Sequence, residues 1–207
     1  MTGLYFDLVM RLVVTLCLAA VVWVAPVAAQ RGARTVTAAE CAAPIGDGLK
    51  TKRSFCDVLI AAAPAESVSI AIPPHTGSPT LRFDLHNRFT VPAIALPGAL
   101  TFARHEAVVS VIRPTGAVIR QAAVVREFRT IGDLFDQIGG GANPGGVKAV
   151  APGGAESVRV PIPTGLTAVG IVGARLSVIL RTSQEVFDTP GRPVAIVSNI
   201  RLEYRPR

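Results

Sequence analysis

Three histidines and two cysteines are the first side chains to consider for chemistry. His75, His86 and His105 do not have the spacing of a metal-binding motif. His86 and His105 can meet if their strands are neighbours, but the simpler expectation is two solvated strand residues. Cys41 and Cys56 form no Cys-x-x-Cys motif and accompany no group of histidines, so neither a redox site nor a zinc site is indicated. The sequence therefore predicts no metal and no cofactor.

Carboxylates are the other candidates, because two of them are enough to hydrolyse a glycosidic bond. Asp133 and Asp136 share one face of a short predicted helix, where polar residues are ordinary. Glu106, Glu127 and Glu203 fall on predicted strands. No Gly-x-Ser-x-Gly motif marks a serine nucleophile. We expect a protein without catalytic activity; a small secreted hydrolase that uses two strand carboxylates on polysaccharide is the alternative.

The first 29 residues have the order of parts found in a secretory signal peptide. Arg11 supplies positive charge, residues 12–23 are apolar, and Val27–Ala29 have the small side chains of a cleavage site. Residues 12–29 also reach the minimum length of a spanning helix, so an uncleaved anchor is the alternative. Cleavage leaves no membrane span, and we expect the mature protein in the periplasm or outside the cell.

Export also bears on the two cysteines that cleavage leaves in the chain. An even pair in an oxidising compartment most simply forms a disulfide, so Cys41 is expected to bond to Cys56. Residues 30–54 then form an extended segment pinned by that disulfide. Residues 55–207 are long enough for one domain with its own core.

Alternating apolar and polar residues dominate this domain, as half-buried strands require. Leu81, Phe83 and Leu85 alternate with polar residues, and residues 113–116 read as a hairpin turn. Residues 166–180 are either two strands or one bulged strand because glycines interrupt them. The pattern predicts an all-β, antiparallel two-sheet sandwich, with a jelly roll as the preferred version.

The final strand, residues 194–204, is predicted to turn one set of alternating residues inward. The predicted inward set is Val194, Ile196, Ser198, Ile200, Leu202 and Tyr204. One segment departs from this period. Residues 130–138 carry apolar side chains at helical spacing and are predicted to form the one short helix.

Two nine-residue segments resemble each other within the chain. Residues 65–73 and residues 155–163 both begin Ala-Glu-Ser-Val and end in Ile-Pro, and a Thr-Gly pair follows each shortly afterwards. Two equivalent strands in the two halves of a sandwich explain this similarity. A shared requirement for strand starts and ends explains it as well, and the sequence does not decide between them.

The net charge is +7, and only three of the 21 basic residues are lysine. The arginines are scattered and show no run or aromatic interleaving, so nucleic acid is not expected as a partner. Polar residues gather instead on the outward phase of two predicted strands. If these strands are neighbours, the candidate binding residues are Arg82, Asp84, His86, Arg88, Asn199, Arg201 and Glu203.

Aromatic stacking on a sugar ring is not expected, because Trp23 and Tyr5 leave with the signal and Tyr204 is the only tyrosine that stays. A ligand is therefore expected to bind through polar and arginine contacts. The interpretation is an exported, non-catalytic β-sandwich with a binding or structural role at the envelope or outside the cell. Its partner is unknown, and an envelope component or a glycan is possible. A further alternative is an envelope protein that associates with itself through strand edges.

Overall fold

Two antiparallel sheets of six strands each make up the described part of the chain. The computed structural model describes residues 33–36, 39–48, 52–61, 63–88, 103–128 and 154–207. Their strands are β1 (Arg34–Val36), β2 (Ala39–Glu40), β3 (Pro44–Asp47), β4 (Ser54–Leu59), β5 (Val68–Ala71), β6 (His75–Asn87), β7 (Ala103–Ile112), β8 (Val118–Phe128), β9 (Glu156–Pro161), β10 (Ala168–Leu180), β11 (Gln184–Phe187) and β12 (Pro193–Pro206). The predicted all-β sandwich is confirmed. The predicted signal peptide and the predicted helix at 130–138 lie outside the described residues.

The order of the strands is that of a jelly roll. The first sheet runs β3-β4-β12-β6-β9 with β1 also beside β12, and the second runs β2-β5-β10-β7-β8 with β11 beside β10. Four pairs are nested along the chain, namely β4 with β12, β5 with β10, β6 with β9 and β7 with β8. Such nesting arises when one long two-stranded ribbon is rolled into two sheets, which is the preferred arrangement predicted above.

The core lies between the two sheets and is formed by the inward phase of each strand. Leu81, Phe83 and Leu85 of β6 are each at most 1% exposed, as their alternation predicted. Val109 of β7 and Val178 of β10 face them from the second sheet and are fully buried. Burial of such side chains is worth roughly 1.5–3 kcal/mol each, so this layer dominates the stability of the fold.

The predicted hairpin turn at residues 113–116 is present, and the long apolar segment at residues 166–180 contains one bulged strand. Gly116 has a φ of 85° and donates its N–H to the carbonyl of Arg113, which closes the β7–β8 hairpin. The register of β10 against β7 shifts between Gly173 and Arg175, so β10 is a single strand with a bulge. Gly173 also bridges to Ile60, which follows β4, and thereby joins the two sheets.

The predicted alternation of β12 holds at Val194 and is wrong at Ile196 and Ser198. Ala195 and Val197 point into the core, whereas Ile196 and Ser198 lie on the opposite face. The physical reason is a bulge after Ser198, which adds a residue before Ile200 and moves the following side chains to the other phase. We call the face of the first sheet that points away from the second sheet its outer face. Before the bulge, β12 therefore contributes Ile196 and Ser198 to this outer face, and not Ala195 and Val197.

His105 is another correction. It is 0% exposed and faces the core from β7, whereas it was expected to be solvated. Close by, Asn87 at the end of β6 donates from Nδ2 to the carbonyl of His105 at 3.0 Å and to that of Val124 at 3.2 Å. Because Asn87 belongs to the first sheet and both acceptors belong to the second, these bonds tie the two sheets together at this end.

The two similar segments occupy equivalent places. The first contains β5 and leads into β6, the second contains β9 and leads into β10, and each passes from one sheet to the other. β5 pairs with β10 and β9 pairs with β6. The C-terminal ends of the two segments also match. The N–H of Ile72 donates to the carbonyl of Thr167, and the N–H of Ile162 donates to the carbonyl of Pro79, both at 2.8 Å. The two segments are therefore structurally equivalent, and both explanations of their similarity remain compatible with this placement.

The predicted disulfide is present between Cys41 and Cys56. Cys41 lies between β2, which belongs to the second sheet, and β3, which belongs to the first, while Cys56 lies on β4. The bond therefore fixes the point at which the chain crosses from one sheet to the other. No helix within the described ranges is both long and apolar enough to cross a bilayer.

Candidate functional site: the outer face of the first sheet

β6 and β12 lie side by side, which brings the candidate binding residues onto one surface. Asp84 is opposite Ser198 and Arg82 is opposite Arg201 in the register of these strands. The outward phase of β6 contains Arg82, Asp84 and His86, and it continues to Arg88 just after the strand. The part of β12 that comes after its bulge contributes Asn199, Arg201 and Glu203. Sequence alone placed each set on its own strand, but only the sheet order makes the two sets adjacent.

Three arginines form a line across this face. Arg82 is the register partner of Arg201 on β12 and of Arg159 on β9. We call these three residues the arginine row. Neighbouring strands are about 4.8 Å apart, so the row places three positive charges at close and regular intervals. Like charges opposite one another destabilise a sheet, and this cost favours the presence of an anion.

Acidic side chains neutralise only one member of the arginine row. Glu203 accepts a hydrogen bond from Arg82 at 2.8 Å, and both side chains are more than a third exposed. Arg159 and Arg201 are exposed and reach no acidic group at ion-pair distance among the residues described. The row therefore presents two cations to solvent beside one exposed ion pair.

Asp84 lies next to the row and is held by two donors. Its Oδ2 accepts a 3.1 Å hydrogen bond from Asn199 Nδ2 and lies 3.4 Å from Nη1 of Arg53. Its side chain is only 15% exposed. Arg53 precedes β4, so its side chain reaches across β12 to meet Asp84 on β6. This contact adds a fourth guanidinium to the same face.

His86 is buried, which corrects its expected role as a solvated, ligand-facing residue. It is 5% exposed, and Phe55 packs against its ring with the centroids 5.7 Å apart. Nε2 of His86 lies 2.9 Å from Oγ of Ser198. A serine and a histidine at this distance resemble a nucleophile and its base. Ser198 is only 1% exposed, however, so a substrate does not reach its hydroxyl in this conformation.

Asp57 and Arg88 form an ion pair on the same face, next to His86. The distance from Asp57 Oδ1 to Arg88 Nη1 is 3.4 Å, and the side chain of Asp57 is 15% exposed. Burial raises the pKa of Asp57 above the ordinary 3.8, and the positive charge of Arg88 partly opposes this. Desolvation of the carboxylate is therefore stronger here than its attraction to one arginine.

Two of the strand carboxylates considered from the sequence, Glu106 and Glu127, lie on the second sheet, away from this face. Glu106 is 3.3 Å from Arg175 and 3.7 Å from Arg104, which also lies 3.7 Å from Glu127. These residues form a charge network between β7, β8 and β10. Within the described ranges, no group of three or more His, Cys, Asp or Glu side chains is placed to hold a metal ion.

Comparisons with protein-family models, with curated proteins and with solved structures find no match to this chain. The function is therefore argued from the geometry of the site.

Sequence reasoning missed three residues of this face, namely Arg53, Asp57 and Arg159. Arg159 had a usable signal, because it lies on the outward phase of the strand in the second repeated segment. Arg53 and Asp57 had none, because their proximity to β6 arises from the order β4-β12-β6 and not from spacing along the chain.

Proposed function

We propose that this protein is an exported, non-catalytic β-sandwich that binds an anionic polysaccharide across the outer face of its first sheet. The observation that carries the proposal is the arginine row, in which Arg159 and Arg201 flank Arg82 and have no described acidic partner. Guanidinium groups bind carboxylate and sulfate oxygens through paired hydrogen bonds.

The direction of the arginine row suggests how such a polymer lies. The row runs across the strands with a repeat of about 4.8 Å, which approaches the length of one sugar unit in an extended chain. A polysaccharide with one negative charge per unit therefore matches the row when it runs perpendicular to β6. Because the arginines are exposed, the attraction is screened by salt and the binding is expected to be weak at high ionic strength.

Export is supported by the signal-like N-terminus and by the disulfide. The first 29 residues have a positive, an apolar and a small-residue part in the order of a secretory signal. The bond between Cys41 and Cys56 is compatible with an oxidising compartment. Anionic polysaccharides are found in such a compartment and outside the cell, so the proposed location and the proposed ligand agree.

Binding of polygalacturonate and of neutral dextran to the purified protein at 50 and 300 mM NaCl tests the proposal. We expect polygalacturonate to bind, dextran not to bind, and affinity to fall with salt. The double variant Arg159→Gln/Arg201→Gln should weaken binding about two- to thirtyfold, since each exposed ion pair contributes roughly 0.2–1 kcal/mol. Isothermal titration calorimetry measures both effects.

The matched control is Arg120→Gln/Arg181→Gln. Arg120 lies on β8 and Arg181 follows β10, so both belong to the second sheet side, and both are exposed. This control removes the same charge and should leave binding almost unchanged. An equal loss in the two double variants would mean that overall charge, and not the arginine row, attracts the polymer.

The paired carboxylates of the same face favour a second candidate, a polysaccharide hydrolase. Asp57 on β4 and Asp84 on β6 flank β12, and Asp57 is in register with His86, two residues from Asp84, so the two backbones are about 12 Å apart. The raised pKa of Asp57 suits a general acid, and Asp84 would serve as the base of an inverting enzyme. Release of reducing ends from a polysaccharide panel, abolished by Asp57→Asn and by Asp84→Asn, would favour this candidate over simple binding.

A further inference from the structure

A cleft of about 650 Å³ opens beside β12 where the first sheet has a gap. β4 pairs with β12 as far as Ser198, and β1 pairs with it from Leu202 onwards. No described strand pairs with residues 199–201 on that side. Their main-chain groups therefore border the cleft, where backbone N–H and C=O groups require hydrogen-bond partners. We call this the gap cleft, and its volume is typical of a small-molecule site.

Charged groups of both signs line the gap cleft. Lys52, Arg53 and Arg201 contribute positive charge, and Asp47 contributes a carboxylate. Oδ1 of Asp47 accepts a 2.6 Å hydrogen bond from the hydroxyl of Ser54. Arg53 is already paired with Asp84, so the two remaining cations beside one carboxylate favour a ligand with a single negative charge over a densely charged one such as polyphosphate. The carboxylate of Asp47 also offers acceptor sites for ligand hydroxyl groups.

Apolar surface completes the lining. It is contributed by the disulfide between Cys41 and Cys56 and by Val68, Phe55 and Ile200. A sugar ring that carries a carboxylate has the same combination of properties, because its C–H groups are apolar while its edge bears hydroxyl groups and one charge. Sites for such ligands combine apolar lining with a few placed polar groups.

Two strained residues border the cleft. Lys52 has a φ of 53° and Asn199 a φ of 52°, and within the described residues they are the only non-glycine residues with positive φ. Both line the gap cleft. Lys52 is held by its N–H, which donates to the carbonyl of Gly48 at 2.8 Å, and Asn199 is held by Asp84. Strain that the surroundings maintain in this way concentrates at functional sites.

The gap cleft lies at one end of the arginine row. Arg201 belongs to both, so a polymer that follows the row from Arg159 arrives at the cleft. Ala39, Cys41 and Pro44 also line the cleft, and they belong to the segment in which the chain crosses from the second sheet to the first. Residues of both sheets therefore border the cleft, which suits the end of a polymer better than its continuous passage.

We infer that the gap cleft is an end-binding subsite that takes the terminal uronic acid of the polysaccharide, an inference that rests on the proposed function. Arg201 and Lys52 bind the carboxylate of the terminal sugar. Asp47 and the backbone at residues 199–201, which pairs with no described strand on this side, bind its hydroxyl groups. The preceding sugars lie along the arginine row.

Stoichiometry separates an end-binding subsite from binding along the chain. Galacturonate polymers of two lengths, about 10 and about 50 units, are titrated into the purified protein. The number of protein molecules bound per polymer chain is expected to be the same for both, because each chain offers the same number of ends. A number that rises with length would overturn the end subsite while leaving polysaccharide binding intact.

Digalacturonate and two variants test the residues, because two sugars reach from the cleft only as far as Arg82. Lys52→Gly removes the charge and suits the left-handed backbone, so it introduces no strain. It should weaken digalacturonate binding by up to about fivefold, since an exposed ion pair contributes roughly 0.2–1 kcal/mol. The same variant should leave the stability of the protein nearly unchanged in a thermal melt. Arg159→Gln, at the distant end of the row, is the matched variant and should affect the long polymer but not the dimer.

The remaining outcomes are also decisive. Equal effects of Lys52→Gly and Arg159→Gln on the dimer would overturn the inference, because the short ligand would then not be located in the cleft. Failure of every galacturonate to bind would overturn the inference and the proposed function together. Binding of digalacturonate that is weakened when Lys52 is replaced, with long polymers saturating at a fixed number per chain, would support both.

Discussion

Asn199 donates a 3.1 Å hydrogen bond from Nδ2 to Oδ2 of Asp84, and it does so from a backbone with a φ of 52°. The side chain therefore compensates for a conformation that most residues avoid. Replacement by alanine removes the bond and retains the unfavourable φ. We expect Asn199→Ala to lower the free energy of unfolding by about 2–3 kcal/mol, measured by urea denaturation.

Asn199→Gly separates the two contributions. Glycine lacks the amide but adopts positive φ without a steric cost, so this variant should be more stable than Asn199→Ala by about 1 kcal/mol. If the alanine and glycine variants were equally stable, the strain at Asn199 would have no energetic weight and the bulge would be held by other contacts.

The raised pKa of Asp57 makes stability depend on pH. Burial raises the pKa and Arg88 partly lowers it, so the folded protein holds this proton at pH values where the unfolded chain has lost it. Stability therefore falls as the pH rises from the ordinary 3.8 through the raised pKa. Asp57→Asn should remove this dependence. We expect the variant to gain stability relative to the natural protein as the pH rises through that window.

Thermal melts between pH 3 and pH 8 measure this difference. Asp188→Asn is the matched control, because Asp188 is an exposed residue that follows β11. This control loses the same charge, and we expect it to follow the pH dependence of the natural protein closely. A constant difference between Asp57→Asn and the natural protein over the whole range would contradict the predicted titration.

Gly173 is expected to tolerate no side chain. A Cβ built at this position would lie 2.5 Å from Cγ2 of Val194, 3.0 Å from the backbone nitrogen of Ile60 and 3.1 Å from the carbonyl carbon of Leu59. Two of these neighbours are backbone atoms that cannot move aside without disturbing the bridge between the sheets. Gly173→Ala should therefore destabilise the protein by about 1–3 kcal/mol or more in urea denaturation.

Gly170→Ala provides the comparison. A Cβ at this position meets the side chains of Ser67 and Ile112 and no backbone atom among its nearest neighbours. The hydroxyl of Ser67 can rotate away, but its Cβ, 2.8 Å from the added atom, moves only with the backbone, so we expect a loss of the same order as at Gly173. A stable Gly173→Ala variant beside a destabilised Gly170→Ala variant would show that the bridge between Gly173 and Ile60 accommodates an added methyl group.

The disulfide is expected to stabilise the crossing between the two sheets. Cys41 and Cys56 are 15 positions apart, and closing a loop of this length contributes about 3 kcal/mol in the chain-entropy model. The double variant Cys41→Ala/Cys56→Ala should lose about this amount in a denaturant titration. Thiol labelling of the native protein should find no reactive cysteine among these two, and labelling of both would contradict the bond.

Local alternation was enough to predict the core of β6 and the class of the fold. Leu81, Phe83 and Leu85 point inward because successive strand residues face opposite ways, and nothing interrupts the period between them. The same rule failed on β12, where the bulge after Ser198 moves the later side chains to the other phase. A bulge of this kind depends on the neighbouring strand and leaves no periodic signal in the sequence.

The candidate site was predictable only in part, for the same reason. Arg82 and Arg201 were placed on outward phases of separate strands, but their contact depends on the pairing of β6 with β12. The burial of His86 was missed because Phe55, which packs against it, lies on β4 at the other side of β12. Contacts between residues on different strands depend on the order of the strands in the sheet. The spacing of residues along a single strand gives no information about that order.

The nested pairing of the jelly roll also determines when this protein can fold. β12 is the partner of β1, β4 and β6, and Val197 lies opposite Cys56 although the two are about 140 residues apart in the chain. A ribosome must therefore synthesise residues 193–206 before the first sheet can close, and the preceding strands wait without their central partner. Folding of this kind is slow, because distant segments must meet before any contact stabilises them. Such slow closure would keep the newly made chain open, as the proposed export through a membrane channel requires.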